Sequence, residues 1–179
     1  EKKAAKLPDV LISKRLSFEA FKPADIKARK IAILAHGKAN EASIKAVQAW
    51  AESESAVADV LTPRPGPVLS QQGTVISSDG MQKAEPSIAY DAVVIVDGDN
   101  YEMVLKDGIA THYLLEAYKH LKPIVFLGDK GQLIEDLKLI SDEGTLANSQ
   151  FDTVQETFKT LIMNHRVWAR ELISETIPA

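Results

Sequence analysis

Three short loops hold the residues that could do chemistry: "AHGKANE" (35–41), "VDGDNYE" (96–102) and "LGDKGQ" (127–132). Each follows an apolar run, so each is expected beyond the C-terminal end of a strand, where open α/β sheets bind ligands. A phosphate or flavin at the first loop would need backbone N–H groups and hydroxyls gathered over a helix N-terminus. "HGKANEAS" offers one Gly, one Lys and no early Ser or Thr. It matches neither G-x-G-x-x-G nor the P-loop pattern, so neither nucleotide nor flavin is expected. A phospho-receiver would need carboxylates for Mg²⁺ after the first strand, an acceptor Asp after a middle one and a Lys after a late one. Asp97 and Lys130 suit the last two roles, but His36 and Lys38 stand where the first acids are required. Asp97, Asp99 and Asn100 do not follow the alternating ligand spacing of a calcium loop, and read as a turn.

The four histidines, His36, His112, His120 and His165, are scattered, with no H-E-x-x-H, so no bound metal is expected. There is no cysteine, which excludes thiolate catalysis, disulfides, Cys-ligated zinc and iron–sulfur clusters. Trp50 and Trp168 fall on predicted helices, where core packing or an interface accounts for them. "HRVWAR" (165–170) is basic and aromatic, but it is short and lies in an acidic chain, so no nucleic acid is expected.

These loops need a scaffold. "KIAILAHG" (30–37) reads as a central strand buried on both faces. A helix follows over 40–53, with Ile44, Val47, Gln48 and Ala51 at helical spacing. Further strands are predicted at 56–63, 90–100 and 124–128, and two short β-like pieces, "PVL" and "TVIS", within the Pro- and Gly-rich stretch 64–81. Helices are predicted over 107–123, with Ile109, Tyr113, Leu114, Ala117, Tyr118 and Leu121 inward and Pro123 as the stop, over 131–140, and over 151–173. Alternation of strand and helix implies an α/β fold: a doubly wound, mostly parallel sheet flanked by helices, a flavodoxin-like three-layer sandwich.

With 179 residues, the chain suits one domain. A net charge of −4 gives no bulk attraction to nucleic acid or anionic membrane. No apolar run approaches the ~20 residues of a membrane span. Absence of cysteine fits a reducing, cytoplasmic setting. Residues 1–29, with Pro8 and Pro23, read as a linker from an upstream domain, and 30–179 as the domain itself. The chain is expected to be a piece of a longer one. Leu7, Val10, Leu11, Leu16, Phe18 and Phe21 are candidate contacts of the linker.

The strand before residue 97 and the loop at 127–132 resemble the DJ-1/PfpI and class I glutamine-amidotransferase-like superfamily. That resemblance implies a strained elbow carrying a nucleophilic Cys, often assisted by a Glu from the first loop. Here the elbow falls at Gly128 or Asp129 and the assisting acid near Glu41, so the thiol is missing and the turn reads as a relic. More narrowly, "RKIAIL", "YDAVVIVDGDN", "EAYKHLKPI" (116–124), the "GD" turn (128–129), "HRVWAR" and the terminal "IPA" (177–179) resemble, in this order, the C-terminal domain of large-subunit haem catalases.

The second resemblance implies a parent enzyme that dismutates hydrogen peroxide to water and oxygen, in response to oxidative stress, at a haem in an upstream domain. None of the haem-site motifs matches here, so no catalytic, cofactor-binding or metal-binding residue is carried over and no cofactor is expected in this chain. The implied role is a non-catalytic accessory domain, with the upstream haem domain and neighbouring subunits of a homotetramer as partners. Two other readings remain: a holdase-like chaperone using bare apolar surface, and a DJ-1/PfpI-like hydrolase or glyoxalase.

Overall fold

The computed structural model describes residues 15, 23–96, 101–128, 132–174 and 177. β1 (Lys30–Leu34), β2 (Val57–Thr62), β6 (Ala92–Ile95), β7 (Ile124–Leu127) and β8 (Thr145–Asn148) form a parallel sheet, extended at one edge by the two-residue β5 (Gly80–Met81). Its order is β5-β2-β1-β6-β7-β8. The chain starts in the middle, winds outward through β2, then crosses back to β6 and winds the other way. The expected α/β, doubly wound, flavodoxin-like class is therefore the fold observed. "PVL" and "TVIS" supply β3 (Val68–Leu69) and β4 (Val75–Ile76), a separate antiparallel hairpin.

Side chains alternate across the sheet, so each strand feeds two cores. Ile31, Ile33, Val94, Val125 and Leu127 pack under α1 (Glu41–Ser53) and α5 (Gln155–Met163). Ala32, Leu34, Val93, Ile95, Ile124 and Phe126 pack under α2 (Tyr101–Lys106), α3 (Gly108–Lys119) and α4 (Gln132–Asp136). Burial on both faces is why the central strands are continuous apolar runs. The stripe of α1 ends on Trp50 rather than Gln48: Trp50 meets Phe151 at 5.1 Å and Phe158 at 5.7 Å between ring centroids. Ile26 is fully buried and the Ala28 N–H donates to the Ser55 carbonyl at 2.8 Å, so residues 26–29 pack with the domain. The candidate linker contacts between Leu7 and Phe21 lie outside the described residues.

Three predicted helices are shorter than their sequence suggests, for one shared reason. α3 stops at Lys119 rather than at Pro123: Leu121 adopts φ +60°, its N–H donates to Tyr118 O, and the Lys122 N–H donates to Ala117 O. This Schellman closure satisfies carbonyls that the helix leaves open. α4 ends in the same way at Lys138 (φ +55°), with Leu139 N–H on Ile134 O. α5 stops at Met163, and His165 (φ +69°) reverses the chain into a 3-10 turn at Trp168–Arg170 and the short α6 (Glu171–Ser174). The stretch 151–173 is thus not one helix. Ile109, expected inward, is 37% exposed in the first turn of α3.

None of these left-handed closures uses Gly, the residue that takes that conformation at least cost. The exposed Lys138 is the clearest case. Lys138→Gly is expected to raise unfolding stability by about 0.5–1 kcal/mol, read as a later urea midpoint at unchanged slope. An earlier midpoint would show that the backbone strain there is negligible.

Candidate functional site

β1 and β6 lie side by side while their connections leave in opposite directions, which opens a crevice beyond their C-terminal ends. The first loop enters it. Asn40 caps α1, its Oδ1 accepting from the N–H groups of Ala42 (3.0 Å) and Ser43 (3.4 Å). This cap fixes the direction in which Glu41 leaves the helix. The hairpin β3–β4 then folds over the same loop. Lys38 N–H donates to Leu69 O at 2.6 Å, Gln71 N–H to Ala39 O at 3.3 Å, and Ala39 bridges Ser70.

Glu41, the implied assisting acid, is occupied by structure. Its Oε2 accepts from the Thr74 hydroxyl, which also bonds Ser70 Oγ at 2.6 Å, and its Oε1 pairs with Lys45 Nζ at 2.6 Å. Hydrogen bonds from Lys45 and Thr74 hold its carboxyl below the usual carboxylate range. It is a poor general base at neutral pH for that reason. Glu41 therefore fastens hairpin to helix.

His36 turns to the other face of the sheet. It is 1% exposed, and neither ring nitrogen has a hydrogen-bond partner among the described residues. Its nearest charge among the described residues is Asp107, with Nε2 to Oδ2 at 3.8 Å. Asp107 is itself the N-cap of α3, accepting from Ile109 N–H at 2.9 Å. Burial lowers the imidazole pKa to about 4, with Asp107 pulling weakly the other way, so the ring is neutral at pH 7. A buried histidine at a strand end is a site signal that scattered spacing did not reveal.

Gly128 lies at the end of β7, two strands from β1. Its φ of +84° is left-handed, a turn at the strand end, and its N–H donates to Asn148 O at 2.8 Å. Gly accepts this backbone without strain but brings no side chain. Asp129, Lys130, Asp97, Asp99 and Asn100 lie outside the described residues. No hydrogen bond or ion pair among the described residues joins His36, Glu41 and Gly128, and no cluster of three metal-ligating side chains is found among them. No helix among them is long and apolar enough to cross a membrane.

"HRVWAR" plays a part that its composition hid. Arg170 is fully buried. Its Nε and Nη2 meet both oxygens of Asp142 at 2.6 and 2.8 Å, and its Nη1 donates to Lys122 O at 2.6 Å. The guanidinium stacks 4.1 Å from the Tyr118 ring, whose hydroxyl also reaches Asp142 at 3.2 Å. Trp168, by contrast, is 48% exposed.

Comparison with known proteins identifies the family. Residues 27–171 match the model of the C-terminal domain found in long catalases. The chain is 36% identical over 156 residues to Catalase HPII of Pseudomonas aeruginosa, covering 87% of this chain and 22% of that protein. It is 34% identical over 155 residues to Catalase HPII of Pseudomonas putida, covering 86% and 21%. With Catalase-B of Dictyostelium discoideum it shares 37% identity over 116 residues, 64% of this chain and 16% of that one. The chain thus spans about a fifth of the length of the curated relatives it matches. It belongs to the family of C-terminal domains found in long catalases.

Proposed function

We propose that this chain is a non-catalytic accessory domain of a long catalase. The parent would dismutate hydrogen peroxide at a haem held elsewhere in the longer chain, in the cytoplasm, as part of a homotetramer. One observation carries the non-catalytic reading. Where a DJ-1/PfpI-like reaction would need its nucleophile stand Gly128, with no side chain, or Asp129, with no thiol, and where it would need its acid stands Glu41, committed to Thr74 and Lys45. His36, neutral and enclosed, reaches no hydroxyl or thiol that it could activate among the described residues. The domain's work is then done by its surface, against the haem domain and neighbouring subunits.

The purified 179-residue chain is expected to show neither peroxide turnover nor hydrolysis of ester or dicarbonyl substrates. Peroxide or carbonyl turnover that survives removal of trace contaminants would sink the non-catalytic reading. In a full-length relative, deleting this domain is expected to weaken the assembly, read as loss of tetramer by light scattering, with peroxide turnover per haem preserved at early times. Unchanged assembly and thermal lifetime would count against the accessory role.

A second reading has an observation in its favour. Leu69 and Val75 face each other across the hairpin at 58% and 63% exposure, and Ile88 and Ile140 are also bare. Such apolar surface suits an interface, or a holdase that grips unfolding clients. If the chain is a holdase, it suppresses light scattering by a heat-denatured client at equimolar ratio, and Leu69→Ser/Val75→Ser weakens that suppression. No suppression removes this reading.

A further inference from the structure

At the opposite end of the sheet, where β1, β6 and β7 begin, positive charge is gathered with little matching negative charge among the described residues. Arg29 pairs with Asp91 at 2.8 Å, and the second oxygen of Asp91 already accepts the Lys30 N–H at 2.9 Å. Arg29 Nη1 lies 3.3 Å and Arg166 Nη1 3.5 Å from Nδ1 of His165. A guanidinium can only donate, so this nitrogen is the acceptor and the ring is neutral. Arg166 Nη1 also donates to the His165 carbonyl at 2.8 Å.

Beside them is Lys122, 2% exposed. Its ammonium has no ion pair or hydrogen bond with any described residue, although it lies within the fields of Arg166, Asp91 and Arg29. Among the described residues, three cations therefore share the field of one carboxylate, Asp91, in a chain whose net charge is −4. The ammonium is not among the fully enclosed, unpartnered side-chain atoms, so its tip reaches the surface while the rest of the side chain is desolvated, and an anion seated at that tip would offset the cost of holding the charge there.

We infer that Arg29, Lys122 and Arg166 form a receptor for a single oxyanion, a carboxylate or phosphate-type group, at the N-terminal edge of the sheet. Two guanidiniums offer planar donor pairs that fit such oxygens, and the ammonium offers a point charge behind them. The Leu121–Val167 backbone hydrogen bond of 2.8 Å holds Lys122 and Arg166 at one place. The anion comes either from solution or from an acidic side chain elsewhere in a longer catalase. This inference does not depend on the accessory reading, since it concerns a different end of the domain.

Burial and the neighbouring cations lower the Lys122 pKa to about 8, and a seated anion reverses that. The test follows the Lys122 side-chain resonance of the 179-residue chain through a pH titration. It is run in chloride and then in inorganic phosphate at matched ionic strength. With phosphate, the Lys122 midpoint is expected to rise by about 1–3 pH units, the range for an opposite charge within a few ångströms. The thermal midpoint should rise in parallel. Lys122→Met removes an unpaired charge, so it should fold, and both it and Arg166→Gln should lose the phosphate-dependent thermal shift.

An unmoved Lys122 midpoint, or the same phosphate-dependent thermal shift in wild type and both variants, overturns the receptor. The latter would be a general salt effect. Repeating the titration in a full-length relative identifies the source of the anion. A midpoint already high and insensitive to phosphate means that a protein carboxylate fills the site, and one that still responds means a free anion does.

Discussion

Asp142→Ala is expected to destabilise the domain by about 3–5 kcal/mol, the cost of stranding a buried charge. Asp142 binds both the Nε and Nη2 of a fully buried guanidinium. It also caps its own turn, accepting from Gly144 N–H at 2.8 Å, and accepts the Tyr118 hydroxyl. Arg170 holds its carboxyl below the usual range against the opposing effect of burial. Without it, the Arg170 guanidinium keeps one hydrogen bond among the described residues, to the Lys122 carbonyl. The pair itself need not be net stabilising, since hydrophobic replacements of buried pairs are often neutral or better. Asp142→Leu/Arg170→Met is therefore expected to lose less than Asp142→Ala alone. The remaining cost would come from the orphaned Lys122 carbonyl, about 1–3 kcal/mol.

The loss should be local before it is global. Val167 donates its N–H to Leu121 O, and Gly144 accepts the approach of both Val167 and Arg170. A Cβ on Gly144 would stand 2.3 Å from Val167 Cγ2 and 2.7 Å from Arg170 Nη2. Gly144→Ala should therefore undock the same segment by sterics alone. Hydrogen exchange should show the Val167 amide opening early in both variants, while Val94 and Val125 keep their protection. If urea unfolding gives a loss under about 1 kcal/mol for Asp142→Ala, the charge was already solvated and this lock does not exist.

How much of this could be read beforehand depended on whether a feature was local. β1, β6 and β7 are continuous apolar runs because both faces are covered, and the sequence shows that directly. Asn40 announces α1 by its own side chain. β8, with the sequence TLAN on the sheet edge, has no such pattern, and the two-residue β5 is too short for any period. Helix ends were overrun wherever Leu121, Lys138 or His165 takes the left-handed turn that a Gly would have signalled. The turn at Gly128 was legible from its strand and glycine, whereas the commitment of Glu41 to Thr74 joins residues 33 apart. Arg170 read as surface charge because its partner, Asp142, is 28 residues away. In "KHLKP", Lys122 similarly gives no hint that burial surrounds it.

Acid should weaken the domain well above the pH at which carboxylates titrate, and His36 is the reason. Its imidazole pKa is about 4 folded against an ordinary 6.5, because burial disfavours the cation. Between these values the unfolded chain binds a proton that the folded one refuses. Stability is thus full above about pH 6.5 and falls as pH drops toward 4. For these two values the loss from this one group between pH 7 and 5 is about 2 kcal/mol. His165, also lowered by burial and by its arginine neighbours, acts in the same direction. Urea midpoints at pH 7 and 5 measure the slope. His36→Gln is expected to lower stability at pH 7 yet flatten the slope, and it is the slope that isolates protonation from packing. Asp107→Asn separates the two roles of the neighbouring acid. The amide can still cap α3 through its oxygen, but the imidazolium loses its only nearby counter-charge among the described residues. The folded pKa then falls further and the loss on acidification becomes larger. If His36→Gln keeps the wild-type slope, protonation of the strand-end histidine is not what couples this fold to pH, and its enclosure at the end of β1 is a matter of packing alone.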